Sequence, residues 1–155
     1  MRAVLTRVNS ASVTIDGEIS GKIGKGFLIL LGVGPEDTEK ECRFLAEKIL
    51  GLRIFEDENG KMNLDLSAVQ GEVLVVSQFT LYGNCRKGRR PSFAGAAGPE
   101  LGNALYEKFL SICEELGYPP QHGRFGADMQ VESVNDGPVT LILDTDTLMD
   151  SPRRG

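Results

Sequence analysis

Hydrophobic and polar positions divide this chain into alternating stretches, unbroken apolar runs and helical stripes. Residues 1–13, MRAVLTRVNSASV, read as a first strand. Asp16-Gly17 then lies between two short alternating runs. This predicts a hairpin, because a type I′ turn needs φ > 0 at both central residues. FLILLGV (27–33) and EVLVV (72–76) show no alternation and read as fully buried strands. Thr38 and Glu41 have capping-box spacing, and Cys42, Leu45, Ile49 and Leu52 recur at intervals of three and four. An amphipathic helix is therefore expected over about 38–52. EDENGKMN is a turn centred on Asn59-Gly60. In a second helix, Pro99 takes the first position, Leu101, Leu105, Phe109, Ile112 and Leu116 line one face, and Gly117 with Pro119-Pro120 ends it. DMQVESV and VTLIL close the chain as strands, and a polar tail from about 147 is expected to be mobile.

One residue breaks this pattern. Pro138 directly precedes Val139-Thr140-Leu141-Ile142-Leu143, which reads as a buried strand. Proline has no backbone N–H and a fixed φ, so central strands exclude it. Gly34-Pro35 and Gly98-Pro99 stand at helix starts, where proline is tolerated. Gly137-Pro138 has no such setting.

The 155 residues suit one domain spanning 1–155, and no repeats or linkers divide it. Several strands, a helix, a strand, a helix and further strands suggest an α+β domain with antiparallel or mixed sheets and two helices on one side. The longest apolar run is far too short to span a bilayer, and the first residues lack a signal-peptide pattern. A cytoplasmic protein with no membrane partner is the expectation.

Net charge is −5, which argues against a generally basic nucleic-acid binder. Yet CRKGRRPSF gathers Arg86, Lys87, Arg89 and Arg90 in five positions, a local patch suited to phosphate. The alternative is a solvated loop. Cys42 and Cys113 fall in helical segments as small buried hydrophobes. Cys85 lies among the arginines, which leaves a nucleophilic role open.

Side chains for conventional catalysis are scarce. His122 is the single histidine, set in a Pro/Gly-rich loop with no evident nucleophile nearby. One histidine and no clustered cysteines argue against a metal centre. GKIGKG lacks the phosphate-loop spacing. Any catalysis would then rest on hydroxyls, backbone amides or the substrate itself. SQFTLYG (77–83) places hydroxyls, an amide and an aromatic at the end of a buried strand, where a rigid element can hold them. NDGPVT (135–140) is the other stretch left; alone, either could be a strand end or a turn.

Together with KGRRPSFAGAA, RFGADMQVESVNDGPVT and the first 33 residues, these stretches resemble the D-aminoacyl-tRNA deacylase family over essentially the whole chain. QHGRFG departs slightly, since the family more usually has threonine before the glycine. The resemblance implies an α+β fold whose antiparallel or mixed sheets form a barrel-like core with two helices packed on one side. It implies a cofactor-free hydrolase that cleaves D-amino acids, and glycine, from the terminal ribose of tRNA. It further implies a homodimer with active sites at the subunit interface and a cis Gly137-Pro138 peptide that enters the partner's pocket. Ser77, Gln78, Phe79 and Thr80 become the expected catalytic residues. Asn135, Gly137, Pro138, Thr140 and Met129 become the residues of substrate binding and chiral selection, and Arg86, Lys87, Arg89 and Arg90 those that hold tRNA.

Two mechanisms follow from this picture. In the first, backbone N–H groups around Phe79 and Thr80 stabilise an oxyanion while the ribose hydroxyl assists. In the second, Thr80 is the nucleophile, although no activating base is evident. A non-catalytic tRNA-binding module and a plain esterase using Thr80 or Cys85 are the non-homologous alternatives.

Overall fold

The computed structural model describes residues 1–149. Its organising element is the long strand β1 (Arg2–Ile15). The Asp16-Gly17 turn reverses the chain with φ of 51° and 81°, as the alternating pattern required. It leads into β2 (Glu18–Ile23), which pairs with the second half of β1. The first half of β1 pairs antiparallel with β3 (Gly26–Gly32).

Helix α1 (Glu39–Leu50) follows, and Thr38 caps it. The Thr38 hydroxyl accepts from the Lys40 amide at 3.2 Å, and Glu41 accepts from the Thr38 amide at 2.7 Å. Leu52, expected inside this helix, lies beyond its Gly51 cap. Next come a small hairpin, β4 (Phe55–Glu56) with β5 (Met62–Leu64), and a single turn, α2 (Leu66–Val69). Then β6 (Glu72–Ser77) adds parallel to β3. A 3-10 turn, Phe79–Tyr82, leads through a loop to α3 (Pro99–Glu115). Pro99 opens α3 as expected, whereas Leu116 is the exposed cap residue and not part of the buried stripe.

Strand β7 (Gln121–His122) pairs parallel with β6, so His122 lies on a short strand where a loop was expected. Where β7 meets β2, Ser20 donates to the His122 carbonyl at 3.0 Å and the Lys22 amide to the Gln121 side chain at 3.3 Å. A Cβ at Gly21 would come within 2.9 Å of the His122 carbonyl, so this approach needs glycine. The mixed sheet is thereby nearly closed into a barrel.

The two expected closing strands are one, β8 (Gln130–Asp144), paired along the free edge of β1. Helical turn α4 (Thr145–Leu148) follows, so the expected tail boundary near 147 falls inside a helical turn. The rest of that tail lies outside the described residues.

Alternation along β3 and β6 explains their unbroken apolar runs. Phe27, Ile29, Leu31, Val73 and Val75 face α1 and α3 and pack with Leu45, Ile49, Tyr106, Phe109 and Ile112. Leu28, Leu74 and Val76 point the other way, into the barrel, and meet Val8, Ala11, Val13 and Ile23. Each fully buried aliphatic or aromatic side chain contributes roughly 1.5–3 kcal/mol. The Tyr106 hydroxyl donates to the Val75 carbonyl at 2.9 Å, so its burial leaves no polar group unpaired. Among the described residues no helix is long and apolar enough to cross a membrane.

Candidate functional site

Strand β6 delivers Ser77 opposite Leu31, half-buried at the end of the core. Gln78 then leaves strand geometry, and its amide donates to the Leu31 carbonyl at 2.8 Å. The 3-10 turn closes through Leu81 N–H to Gln78 O at 3.2 Å and Gly83 N–H to Thr80 O at 2.9 Å. As the leading amides of this turn, those of Phe79 and Thr80 have no carbonyl within it to donate to. Both residues are exposed. The Phe79 ring, 54% exposed, stands edge-on to Phe93 with centroids 5.3 Å apart. The Gln78 side-chain amide donates to the Thr80 hydroxyl. Among the described residues no histidine, lysine or carboxylate is hydrogen-bonded to that hydroxyl.

The misplaced proline has a structural setting. Val8 of β1 pairs with Asn135 of β8, and Thr6 pairs with Thr140. One residue of β1, Arg7, therefore faces four residues of β8, numbers 136–139. These bow out of the ladder, so Pro138 removes no pairing donor. The Gly137-Pro138 peptide is cis. Gly137 has φ +124°, a region L side chains avoid, and a Cβ there would meet the Arg7 guanidinium at 3.0 Å.

Arg7 underlies this excursion and was absent from the residues expected to matter. It is 4% exposed. Its Nη1 donates to the Ile54 carbonyl at 2.6 Å, and its Nε to the Asp136 carbonyl at 3.2 Å, with the Asp136 carboxylate also 3.2 Å away. The available signal was a charge continuing the inward-facing positions of Ala3 and Leu5.

The other expected residues spread around this loop. Exposed Thr140 sits across from Thr6, with the hydroxyls 3.4 Å apart, and exposed Asn135 accepts from Ser133 at 2.8 Å. Met129 is half-buried and packs against the barrel core. The two motifs do not meet within one protomer. Ser77 is level with Ala3 across β3, while Gly137-Pro138 is level with Arg7 on the opposite side of β1. Four residues along β1 and three strand spacings lie between them, a path on the order of 20 Å along the sheet surface.

The basic loop is closed by reciprocal backbone bonds between Asn84 and Ser92, 2.7 and 2.9 Å long. Arg86, Lys87 and Arg90 line an open cavity of about 610 Å³ with these two residues. Arg89 is exposed in the same loop but does not line that cavity. Cys85 is exposed and unpaired. Burial pushes the thiols of Cys42 and Cys113 up to about 12, which keeps both protonated and inert. His122 is exposed, with Nδ1 at 2.7 Å from the Gly123 carbonyl.

Residues 4–144 match the family model described as D-Tyr-tRNA(Tyr) deacylase. A D-aminoacyl-tRNA deacylase of Desulfatibacillum aliphaticivorans is 63% identical over 145 residues, covering 94% of this chain and 99% of that protein. One from Thermotoga petrophila is 55% identical over 148 residues, covering 96% and 99%. A solved structure described as c-Myc DNA unwinding element binding protein superposes with a TM-score of 0.87 at 44% identity, covering 99% of this chain and 100% of that one. A probable eukaryotic D-amino acid tRNA deacylase superposes with a TM-score of 0.79 at 17% identity, covering 92% and 97%, and so shares the fold. The family-model match over residues 4–144 and this near full-length similarity place the chain in the D-Tyr-tRNA(Tyr) deacylase family.

Proposed function

We propose that this protein hydrolyses the ester between a D-amino acid, or glycine, and the terminal ribose of tRNA, acting as a single catalytic domain in the cytoplasm. The observation that carries this reading is the Phe79–Thr80 turn, which sets two exposed residues at the end of a buried strand with, among the described residues, no titratable side chain bonded to the Thr80 hydroxyl. An aminoacyl ester is already activated. Water adds to its carbonyl, the two amides donate hydrogen bonds to the developing oxyanion, and the ribose oxygen leaves with the proton that the attacking water gives up. The neighbouring ribose hydroxyl assists, so no protein base is needed. One oxyanion donor contributes roughly 10²–10³ in rate.

Chirality is read by Gly137-Pro138. Its carbonyls bind the substrate ammonium and collide with an L side chain, so selectivity comes from excluding the wrong isomer. The spacing within a protomer supports a homodimer in which this segment enters the partner's pocket. Exposed apolar side chains on β8, Ile142 at 80% and Val134 at 56%, suit a covered strand. Arg86, Lys87 and Arg90, with Arg89 beside them, hold phosphates of the tRNA end.

A side-by-side deacylation assay on D- and L-tyrosyl-tRNA tests the reading. Rapid release of D-tyrosine with the L-ester spared is expected. Equal hydrolysis of both isomers would overturn chiral exclusion. Binding of the tRNA without release would favour a nucleic-acid-binding module, and a trapped ester on Thr80 would favour the nucleophile mechanism.

A further inference from the structure

We infer that Arg2 is a positioning residue for this reaction, holding the turn that carries the Phe79 and Thr80 amides. The inference rests on the proposed role of those amides. The turn contains no buried residue, so packing alone does not set its orientation. One anchor is the Gln78 amide on the Leu31 carbonyl, at the turn's entry. At its far side the guanidinium of Arg2 engages a carbonyl, a carboxylate and a ring at once. Nη1 donates to the Leu81 carbonyl at 3.1 Å, Nε donates to the Asp144 carboxylate at 2.9 Å, and the planar group lies 4.3 Å from the centre of the Tyr82 ring.

Arg2 opens β1, where it pairs with Gly32 of β3 and Asp144 of β8. One side chain thus ties the last residue of β8 to the turn after β6. Two glycines also lie close to Tyr82. A Cβ at Gly34 would come within 2.9 Å of the Tyr82 hydroxyl, and one at Gly32 within 3.3 Å of the ring. The ring is therefore approached by both glycine backbone and guanidinium, and the Leu81 carbonyl is held one residue from Thr80. Arg2 is 38% exposed on its side chain and Asp144 24%, so the ion pair adds little to stability. Its effect is geometric. Lysine cannot reproduce it, since a point charge lacks both the fork and the stacking plane.

The test is single-turnover deacylation of D-tyrosyl-tRNA across a range of enzyme concentrations, with thermal melting of each variant. Arg2→Ala is expected to lower the saturating rate about 10- to 100-fold, the scale of a misplacement near 1 Å. Half-saturation should stay within about threefold, because the phosphate-binding loop is untouched. Arg2→Lys should not restore the rate, and Tyr82→Leu should reduce it in the same direction. Adding Asp144→Asn to Arg2→Ala should cause no further loss, since both changes break one clamp. A wild-type rate in Arg2→Ala, full rescue by lysine, or a defect confined to half-saturation would each overturn the inference. So would variants that melt far below the wild type and lose activity in proportion. If the wild-type protein itself fails to cleave D-tyrosyl-tRNA, the functional reading falls and this inference falls with it, a result visible before any variant is made.

Discussion

At the residue scale, backbone and side chain can be separated within the Ser77–Thr80 segment. Gln78 has φ −146° and ψ 78°, outside the helical region, so the next position accepts proline without a clash. Phe79→Pro removes one amide donor, and Phe79→Ala removes only the exposed ring. If the amides stabilise the oxyanion, the proline variant should deacylate D-tyrosyl-tRNA roughly 10²–10³ more slowly than the alanine variant. Thr80→Ala should stay within about tenfold of wild type, or 1.4 kcal/mol. Equal rates for the two Phe79 variants, or complete loss in Thr80→Ala, would transfer the chemistry to the threonine hydroxyl.

At the element scale, the basic loop and the first helix make independent predictions. Arg86 and Arg90 line one cavity across a loop closed by Asn84 and Ser92. Replacing both with alanine should lower the slope of log affinity against log salt by about 0.7 for each single-strand phosphate that is no longer neutralised. The D/L preference should survive, because phosphate contacts position a substrate without reading its amino acid. An unchanged slope would make this a solvated loop. In α1, burial works to raise the Glu41 pKa, but hydrogen bonds from Thr38 outweigh it and hold the value below its ordinary 4.5. A depressed folded pKa contributes stability above the unfolded value, and that stability is lost as pH falls through the folded one. The stability gap between wild type and Glu41→Gln, read from urea midpoints, should therefore be present at neutral pH and vanish in acid. A gap unchanged at low pH would show that the carboxylate is not the stabilising partner.

At the scale of the whole molecule, the separation between the two motifs makes subunit pairing testable. Gly137→Ala places a Cβ 3.0 Å from the buried Arg7 guanidinium at φ +124°, a conformation costing of order 1–3 kcal/mol for a non-glycine residue. It should displace the bowed segment and abolish activity while leaving the Phe79 turn intact. Phe79→Pro does the reverse. Unfolded together and refolded as a mixture, the two inactive proteins should regain roughly a quarter of wild-type activity. Half of randomly paired symmetric dimers are mixed, and each mixed dimer holds one intact site of two. Activity no greater than that of the separate variants would show that both motifs act within one protomer, or that no dimer forms.

What the sequence determined by itself is local. The Asp16-Gly17 turn, the Thr38–Glu41 box, the Pro99 start and the doubly buried runs of β3 and β6 each depend on neighbours within a few residues. Propensity, capping and alternation act over that range, so a linear reading can recover them. The Ser-Gln-Phe-Thr and Gly-Pro stretches were legible as unusual, and the family resemblance assigned them roles. Their separation was not legible, because it depends on β8 pairing with one edge of β1 while β3 and then β6 build out from the other. Pro138 looked out of place directly before the 139–143 strand; the four residues of β8 opposite Arg7 remove the conflict. Arg7 had no role in the linear reading, although it continues the buried positions of Ala3 and Leu5. Burying it requires the carbonyls of Ile54 and Asp136, which lie 47 and 129 residues away. Arg2 likewise meets Leu81 and Asp144 only once three distant strands lie side by side. Such contacts form only when non-local strand pairing brings their partners together, and that decision belongs to the tertiary structure.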